Sequence, residues 1–348
     1  MDPQLKALCQ KQAPVDANIE TLWSIKLAIE KVLADSGFLE CFQDKRWDLV
    51  IYGSALNSIF SNQLSDLDMT LIVDSKLNQN EILREVQQTL EQNSDKFEKF
   101  QFLVLPSGPL LSFVVSASNT DVDISVNKIL EIQNSRLIRA YAQLDARFSN
   151  LALFLKVWNK QRFQDKKLRL NSYTLNLMLV AFLQHLKVLP SLQALAPQPQ
   201  PLKYEQQGKY LCYSGVSEAQ FLADVSEQPR QMEHLTEAHL LQKFFHFYGS
   251  EFNAATHAID IRSGDRPFPK REEVLGQIKN KFATHAKKGE ILAQPYLSQN
   301  ARWFYMVVDP LKLDYSPAKI QLEAAEATAY PQSFQSASSA ILQGKLPL

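Results

Sequence analysis

The sequence is poor in the residues that mark several common protein classes. It has three cysteines, Cys9, Cys41 and Cys212, and their spacing fits neither a zinc site nor a set of paired disulfides. The six histidines also lack the i, i+4 spacing of a metal-binding pair on a helix. These shortages argue against a zinc protein and favour a reducing compartment. We expect the cytoplasm, with the nucleus or mitochondria as alternatives.

Long apolar runs and net charge are also missing. No stretch approaches the roughly 18 apolar residues of a membrane span. The start of the chain has no basic segment followed by an apolar one, so we expect neither a membrane protein nor a secretory signal. Lysine plus arginine and aspartate plus glutamate both number 37. A neutral chain cannot coat nucleic acid through its overall field, so such a partner requires a local basic patch.

Hydrophobic periodicity divides the 348 residues into a short α/β part and a larger helical part. Five strand-like segments with helices between them fill residues 44–128. Helical spacing dominates residues 1–43 and 129–348, apart from a Pro- and Gln-rich connecting stretch at 190–232. We therefore predict a small α/β unit and a second, mostly helical domain built from both chain ends. The last ~20 residues are small and polar, which favours disorder there.

Two aspartate pairs lie in strand-like segments. Asp66 and Asp68 begin the segment DLDMTLIVD, and Asp121 and Asp123 begin DVDISV. Alternate residues of a strand share one face, so each pair places two carboxylates side by side. Like charges repel, and a hard divalent cation relieves that repulsion by taking oxygen ligands from carboxylates and phosphates. The pattern predicts a site for two Mg²⁺ or Mn²⁺ ions, whereas one such pair alone is typical of a solvated strand.

Further residues indicate a polyphosphate site. Gly53 and Ser54 lie where the segment WDLVIYG ends and a strand passes into a helix. A glycine and free N–H groups at a helix start suit an anion. Lys156 and Lys160 share one face of a predicted helix, a spacing that is unfavourable unless an anion lies nearby. Ser172 can cap the next helix or contact a phosphate. Taken singly, these residues equally suit a plain turn, a solvated helix face and a helix cap.

In this order the motifs resemble those of terminal uridylyltransferases and noncanonical poly(A) polymerases, members of the nucleotidyltransferase superfamily that includes DNA polymerase beta. The resemblance covers about residues 45 to 315 and is closest to minimal uridylyltransferases. It rests on Gly-Ser followed by SDLD, then Asn134-Ser135, LFLKVWNK and NSYTLNLM. It implies a two-lobed α+β fold, in which a polymerase beta-like palm combines a mixed sheet with helices. It also implies catalytic, metal-binding roles for Asp66, Asp68 and Asp123. The residues implied to bind the nucleotide are Gly53, Ser54, Ser65, Asn134, Ser135, Lys156, Lys160, Ser172, Tyr173 and Asp309.

The resemblance also assigns individual roles. The tyrosine that matches Tyr173 stacks on the base, and the asparagine that matches Asn134 contacts the ribose 2′-hydroxyl, which favours ribonucleotides. Asp123 polarises the attacking hydroxyl or accepts its proton. In the late base-selecting motif Asp309 is retained, but Lys312 replaces an acid and Tyr315 replaces a histidine or asparagine. Asp309 can accept a hydrogen bond from uracil, directly or through water. The bulk of Tyr315 either narrows the pocket against a purine or simply packs, so the motif mildly favours UTP.

We therefore expect a template-independent enzyme that transfers UMP from UTP to a single-stranded RNA 3′ end and releases pyrophosphate. Basic residues cluster only weakly, so a protein complex is expected to supply part of the RNA affinity. An ATP-using poly(A) polymerase or a CTP-using enzyme of the same fold is the nearest alternative. An inactive RNA-binding scaffold and a primer-independent oligoadenylate synthase are the others.

Overall fold

The structure is a computed structural model that describes residues 2–12, 16–37, 47–57, 59, 66–73, 78–93, 95–105, 107–165, 168–195, 218–227, 232, 234–264, 266–287, 305–310 and 329–347. The chain divides into two compact units. The first lies within Lys11–Arg139 and is called the sheet unit. The second holds the described residues of Met1–Gln10 and those from Ala140 onward, and is called the helical unit.

The helices and strands follow the predicted change of hydrophobic period along the chain. The strands are β1 (Asp48–Ile51), β2 (Leu67–Ile72), β3 (Phe97–Leu105), β4 (Gly108–Val115) and β5 (Thr120–Val126). The α-helices are α1 (Asp2–Gln12), α2 (Asp16–Asp35), α3 (Gly53–Asn57), α4 (Gln79–Glu91), α5 (Ile129–Leu144), α6 (Ala146–Arg162), α7 (Ser172–His185), α8 (Leu192–Leu195), α9 (Glu218–Ser226), α10 (Glu237–His246), α11 (Arg271–Lys287) and α12 (Ala329–Leu342). A π-helix spans Phe247–Glu251, and a 3₁₀ turn spans Ile261–Ser263.

The five strands form one mixed sheet in the order β1-β2-β5-β4-β3. β2 and β5 run parallel, whereas the other neighbours are antiparallel. A parallel pair requires a crossover, and here the chain between β2 and β5 supplies α4, β3 and β4. The mixed sheet with helices confirms the predicted α+β class. It also places the beginnings of β2 and β5 beside each other, which positions the aspartates.

One face of the sheet is the core of its unit. Alternate residues such as Leu67 and Met69 of β2 and Ile124 of β5 are fully buried on this face. The apolar stripes of α2 and α4 pack against them, with Ile29 of α2 and Leu83 of α4 also fully buried. Because side chains alternate along a strand, the aspartates of β2 and β5 project from the opposite face. That face is therefore left for polar chemistry.

The beginning of the chain is divided between the two units. α1 belongs to the helical unit, where the Asp2 carboxylate accepts a hydrogen bond from the Ala238 N–H at 2.8 Å and the Cys9 thiol contacts the Asn150 carbonyl at 3.5 Å. α2 belongs to the sheet unit. The sequence placed all of residues 1–43 with the helical part, and the structure differs because the stripe of α2 covers the sheet. Helical periodicity alone does not tell which core a helix joins.

The helical unit is built around a helix that is buried almost throughout. In α7 every residue from Thr174 to Gln184 is buried, as expected for a helix without a polar face. α6 packs along it, and α10 packs against both α6 and α12. Among the described residues, no helix combines the length and apolar character that crossing a membrane requires.

The expectation of disorder near the end of the chain was wrong, because residues 329–342 form α12. Phe334 is fully buried and stacks on Trp158 with ring centroids 5.2 Å apart. Tyr330 stacks on Phe163 at 4.1 Å. The small residues of SFQSASSA, including Ala337, let the helix approach its neighbours closely. A pattern typical of a solvated tail is here a packing surface.

Candidate active site

The sheet brings Asp68 and Asp123 side by side. They are register partners on the parallel strands β2 and β5. Neighbouring strands lie about 4.8 Å apart, and register partners project from the same face. Both side chains are half-buried. The predicted meeting of carboxylates from two strands is therefore present in the structure.

Asp123 lies in negatively charged surroundings. Burial raises the pKa of its carboxyl, and the charges of Asp66 and Asp121 act in the same direction. A hydrogen bond from Ser112, its register partner on β4, opposes this rise in pKa. Asp66 lies directly before β2 and is exposed, and Asp121 is exposed on β5. The polar face of the sheet thus carries carboxylates from two strands, and the partly buried Asp123 lies among them.

The backbone at Gly53 passes very close to Asp68. β1 pairs antiparallel with β2, so the end of β1 lies beside the beginning of β2, and the Tyr52 N–H donates to the Asp68 carbonyl at 3.0 Å. Gly53 has φ +69°, and a Cβ at this position would lie 2.4 Å from Asp68 Oδ2. Glycine is required both by the left-handed backbone and by the approach to the carboxylate. Ser54 follows within α3 and is half-buried.

Ser135 holds this turn from α5. The Gly53 N–H donates to Ser135 Oγ at 2.7 Å, and the Ser135 hydroxyl donates to the Glu131 carbonyl at 2.7 Å. The single hydroxyl proton is thus used inside the protein. The resemblance implied a nucleotide contact for Ser135, whereas the structure shows it bonded to the glycine turn. The adjacent Asn134 is also buried, at 8 % exposure.

Tyr52 is a polar-face residue that the sequence reasoning missed. Its hydroxyl lies 3.4 Å from Ser125 Oγ, and Ser125 donates to the Met69 carbonyl. Burial raises the pKa of the Tyr52 phenol, and the nearby Asp68 charge raises it further. Strand alternation was the available signal, because Tyr52 continues the face of Val50, whose register partner Thr70 shares a face with Asp68.

The other implied phosphate ligands belong to the helical unit. Lys156 is half-buried and Lys160 exposed, four residues apart on α6. Ser172 is the exposed first residue of α7, and Tyr173 is half-buried beside it. The cap of α7 is Asn171, whose Oδ1 accepts from the Thr174 N–H at 2.8 Å. The capping role considered for Ser172 therefore falls to its neighbour.

The late motif is partly described. Asp309 is fully buried in the helical unit. It follows Val308, whose N–H donates to the Ile259 carbonyl at 2.8 Å. Lys312 and Tyr315, where the sequence departs from the family pattern, lie outside the described residues, as does Ser65. The structure thus shows that Asp309 is shielded from solvent, and it gives no information on Lys312 or Tyr315.

The carboxylates fit a divalent ion that is completed by substrate. Across the residues that the structure describes, no group of three or more His, Cys, Asp or Glu side chains is arranged to hold a metal. Mg²⁺ in nucleotide sites commonly takes one or two carboxylates together with phosphate oxygens. The hard oxygens of Asp68 and Asp123, side by side in register beside a glycine turn, match that donor set.

Two family models match the chain. Residues 1–143 match the model described as "Poly(A) RNA polymerase, mitochondrial-like, central palm domain". Residues 238–285 match the model described as "Cid1 family poly A polymerase". The first contains the sheet unit with all its candidate residues, and the second covers α10 and most of α11.

Curated relatives are poly(A) polymerases by name. The chain is 32 % identical over 229 residues to Poly(A) RNA polymerase gld-2 of Caenorhabditis elegans, which covers 63 % of the chain and 20 % of that protein. It is 28 % identical over 240 residues to Poly(A) RNA polymerase GLD2-A of Xenopus laevis, covering 66 % and 45 %. The chain thus spans less than half of either relative.

Solved structures of similar fold include a uridylyl-adding enzyme. The chain superposes on the Cid1 poly(U) polymerase with a TM-score of 0.75 at 18 % identity, covering 98 % of this chain and 94 % of that one. It superposes on a chain of the GLD-2/RNP-8 complex with a TM-score of 0.68 at 20 % identity, covering 98 % and 94 %. At such identities these likenesses establish the fold.

Proposed function

This chain belongs to the family of noncanonical poly(A) and uridylyl polymerases, within the polymerase beta-like nucleotidyltransferases, and on that premise we propose that it adds nucleoside monophosphates to an RNA 3′ end. The RNA 3′-oxygen forms a bond to the α-phosphorus of a nucleoside triphosphate, the bond to the β-phosphate breaks, and pyrophosphate leaves. The observation that carries the proposal is the register pairing of Asp68 with Asp123 beside the Gly53 turn.

In this proposal the residues of the sheet unit bind the metal ions and part of the triphosphate. Asp66, Asp68 and Asp123 hold the divalent ions, and Asp123 also accepts or polarises the proton of the attacking hydroxyl. Two Mg²⁺ or Mn²⁺ ions supply neutralisation of the phosphate charge and activation of the hydroxyl when bound. Gly53 and Ser54 offer backbone and hydroxyl donors to the triphosphate.

The residues of the helical unit bind the nucleotide in this proposal. Lys156, Lys160 and Ser172 neutralise and orient the triphosphate, because ammonium and hydroxyl groups donate to phosphate oxygens. Tyr173 stacks on the base, a contact worth about 1–3 kcal/mol on other nucleic-acid platforms. Asn134 of the sheet unit selects the ribose, and Asp309 contributes to selection of the base.

Two nucleotides compete for this site. ATP is the first candidate, because the curated relatives of this chain are named poly(A) polymerases. UTP is the candidate that the sequence motif favours, because the carboxylate of Asp309 can accept a hydrogen bond, directly or through water, from the N3–H of uracil. Hydrogen-bonded selection of a base can be strong, since the wrong base leaves buried polar groups unpaired.

One assay tests the reaction and the nucleotide together. Purified protein, a 5′-labelled single-stranded oligo-RNA and Mg²⁺ are combined with each of the four ribonucleoside triphosphates in parallel. We expect stepwise lengthening of the RNA, fastest with ATP, and UTP outrunning ATP would assign the chain to uridylyl transfer. An oligo-RNA with a 3′-deoxy end is the matched control and stays unextended, because it lacks the 3′-hydroxyl that attacks the α-phosphorus.

The Asp68→Ala variant separates an enzyme from a scaffold. We expect it to bind the oligo-RNA as the unchanged protein does, while extension is lost. An unchanged protein that extends no RNA with any nucleotide, with Mg²⁺ or Mn²⁺, would contradict the proposal and favour a binding subunit. A protein complex is known for a relative, GLD-2 with RNP-8. A partner of this chain that raises RNA affinity would change the KM for RNA and leave the choice of nucleotide unaltered.

A further inference from the structure

The hydroxyl of Tyr330 lies at the centre of a hydrogen-bond network in the helical unit. It accepts from the Leu170 N–H at 2.7 Å, and it lies 2.8 Å from the Leu168 carbonyl and 3.1 Å from Asn159 Oδ1. Tyr330 belongs to α12 and is 1 % exposed. Tyr330 is 160 residues after Leu170 in the sequence, so this bond joins the loop after α6 to a helix far along the chain.

Asn159 completes this network from α6. Its side-chain amide donates to the Leu170 carbonyl at 2.7 Å, so both backbone groups of Leu170 are held, the N–H by Tyr330 and the carbonyl by Asn159. The Phe163 ring stacks on the Tyr330 ring, and the Arg169 guanidinium donates to the Phe163 carbonyl at 2.8–3.0 Å. Every contact in this set constrains the segment that joins α6 to α7.

That segment connects the two groups of implied phosphate ligands. Lys156 and Lys160 flank Asn159 on α6, and Leu170 lies two residues before Ser172. The intervening Asn171 caps α7 through its bond with the Thr174 N–H. The position of Leu170 therefore determines the position of the first turn of that helix. A shift of the loop at Leu170 thus moves Ser172 relative to the lysines.

We propose that Tyr330 is a positioning residue for triphosphate binding, whose hydroxyl fixes the α6–α7 loop so that the lysine pair and Ser172 keep one spacing. The inference rests on the proposed function, because it assumes that these three side chains bind phosphates. Tyr330 itself contacts only protein groups in this network. Its effect is therefore on nucleotide affinity and not on the chemical step.

The test is Tyr330→Phe, which removes the hydroxyl and keeps the ring in its stack. We expect the KM for the nucleoside triphosphate and its Kd to rise about 3- to 10-fold, the range for one lost hydrogen bond. The kcat and the KM for RNA stay within twofold. Asn159→Ala removes the contact on the other side of Leu170 and should raise the same KM.

Tyr248→Phe is the matched control. Tyr248 is also 1 % exposed, and its hydroxyl donates to a backbone carbonyl of α7, that of Met178, at 2.8 Å. Both variants should lower Tm, Tyr330→Phe by more because its hydroxyl makes more bonds, and only Tyr330→Phe should weaken nucleotide binding. Equal KM changes in the two variants, or an unchanged KM in Tyr330→Phe, would overturn the proposal. The Kd of a fluorescent nucleoside triphosphate needs no transfer, so an inactive protein would refute the reaction while the positioning test still gives its answer.

Discussion

The two units use carboxylates at the same sequence spacing in opposite ways. In the helical unit, Asp145 and Asp260 are each followed two residues later by an arginine that turns back onto the carboxylate. Arg147 donates to both oxygens of Asp145 at 2.7–3.0 Å, and Arg262 does the same to Asp260 at 2.6–2.8 Å. In the sheet unit the corresponding spacing holds a second aspartate, in Asp66-Leu67-Asp68 and Asp121-Val122-Asp123.

The difference separates a carboxylate whose charge the protein compensates from one that we propose binds a metal ion. An aspartate with its own arginine has its charge compensated within the protein, and each also caps a local turn by accepting the N–H of that arginine. The neighbours of Asp123 include two more aspartates, so its negative charge is reinforced. Negative charge that the fold gathers at a half-buried position suits a cation that arrives with substrate.

The largest expected effect concerns Asp123 and its neighbour on the same strand. Asp123→Asn keeps the shape of the side chain and removes the charge, so we expect RNA extension to fall by at least about 10³-fold, because metal-bound carboxylates supply several kcal/mol to such transition states. Asp121→Asn is the matched control, and we expect less than a threefold change. Initial rates of extension measure both, and an equal loss in the two variants would refute the assignment of Asp123.

The next effect is on stability and concerns the arginine pairs. Arg147→Met leaves the buried Asp145 without its guanidinium, and also removes the bonds that Arg147 donates to the Met232 and Leu235 carbonyls. We expect the free energy of unfolding to fall by about 3 kcal/mol, the scale for breaking one partner of a buried pair. Urea unfolding followed by fluorescence measures it.

The double variant Asp145→Asn with Arg147→Met sharpens this result. Asparagine still caps α6, and no charge is left buried, so most of the lost stability should return. Further loss in the double variant would show that the pair is not the cause. In either variant we expect the folded protein to retain its extension rate, because these residues lie outside the proposed nucleotide-binding set.

The sequence alone predicts the features that depend on local pattern. Alternation identified the strands, and the paired aspartates followed from it, because a period of two fixes the face on which Asp68 and Asp123 lie. Gly53 was also predictable, since a glycine between a strand and a helix suggests a special backbone conformation. The order of these segments indicated the small α/β unit, whereas the mixed sheet and the α+β class were implied by the family resemblance.

The features that depend on tertiary contact were not predictable. α12 resembles a polar tail because most of its residues are small or polar, and only the fold shows that its Phe334 stacks on Trp158. The stripe of α2 gives no indication of which unit it joins. The bond from the Gly53 N–H to Ser135 joins residues that are 82 positions apart in the sequence, so no local pattern indicates it. Tyr330 could not be connected with Leu170 for the same reason.

A glycine in each unit offers a smaller and more specific test. Gly53 has φ +69° and Gly344 has φ +75°, but a Cβ at Gly344 meets nothing within 4 Å, whereas at Gly53 it meets Asp68. Alanine at either position should cost about 1–2 kcal/mol of unfolding free energy through the left-handed backbone. Gly53→Ala should also lower extension about 10- to 100-fold by displacing the Asp68 carboxylate. Equal activity in the two variants would contradict the close approach as a functional constraint.

The smallest expected effect compares two serines with the same bond pattern. Ser135 donates to the carbonyl four residues earlier and accepts from the Gly53 N–H, and Ser333 of α12 donates to the Ala329 carbonyl and accepts from Arg162 Nε. Alanine at either position removes one hydroxyl with two bonds, so we expect similar losses of about 1–2 kcal/mol of unfolding free energy.

Only Ser135→Ala should affect the reaction, because only Ser135 holds the turn against Asp68. We expect kcat/KM to fall about 3- to 10-fold, within the range for one lost hydrogen bond, and hydrogen exchange at the Gly53 amide to become faster. Ser135→Thr should restore both, since a threonine hydroxyl on a helix can also bond the carbonyl four residues earlier. If Ser135→Ala left the Gly53 exchange rate unchanged while kcat/KM fell, Ser135 would contact the nucleotide, as the family resemblance implied, and would not act through the turn.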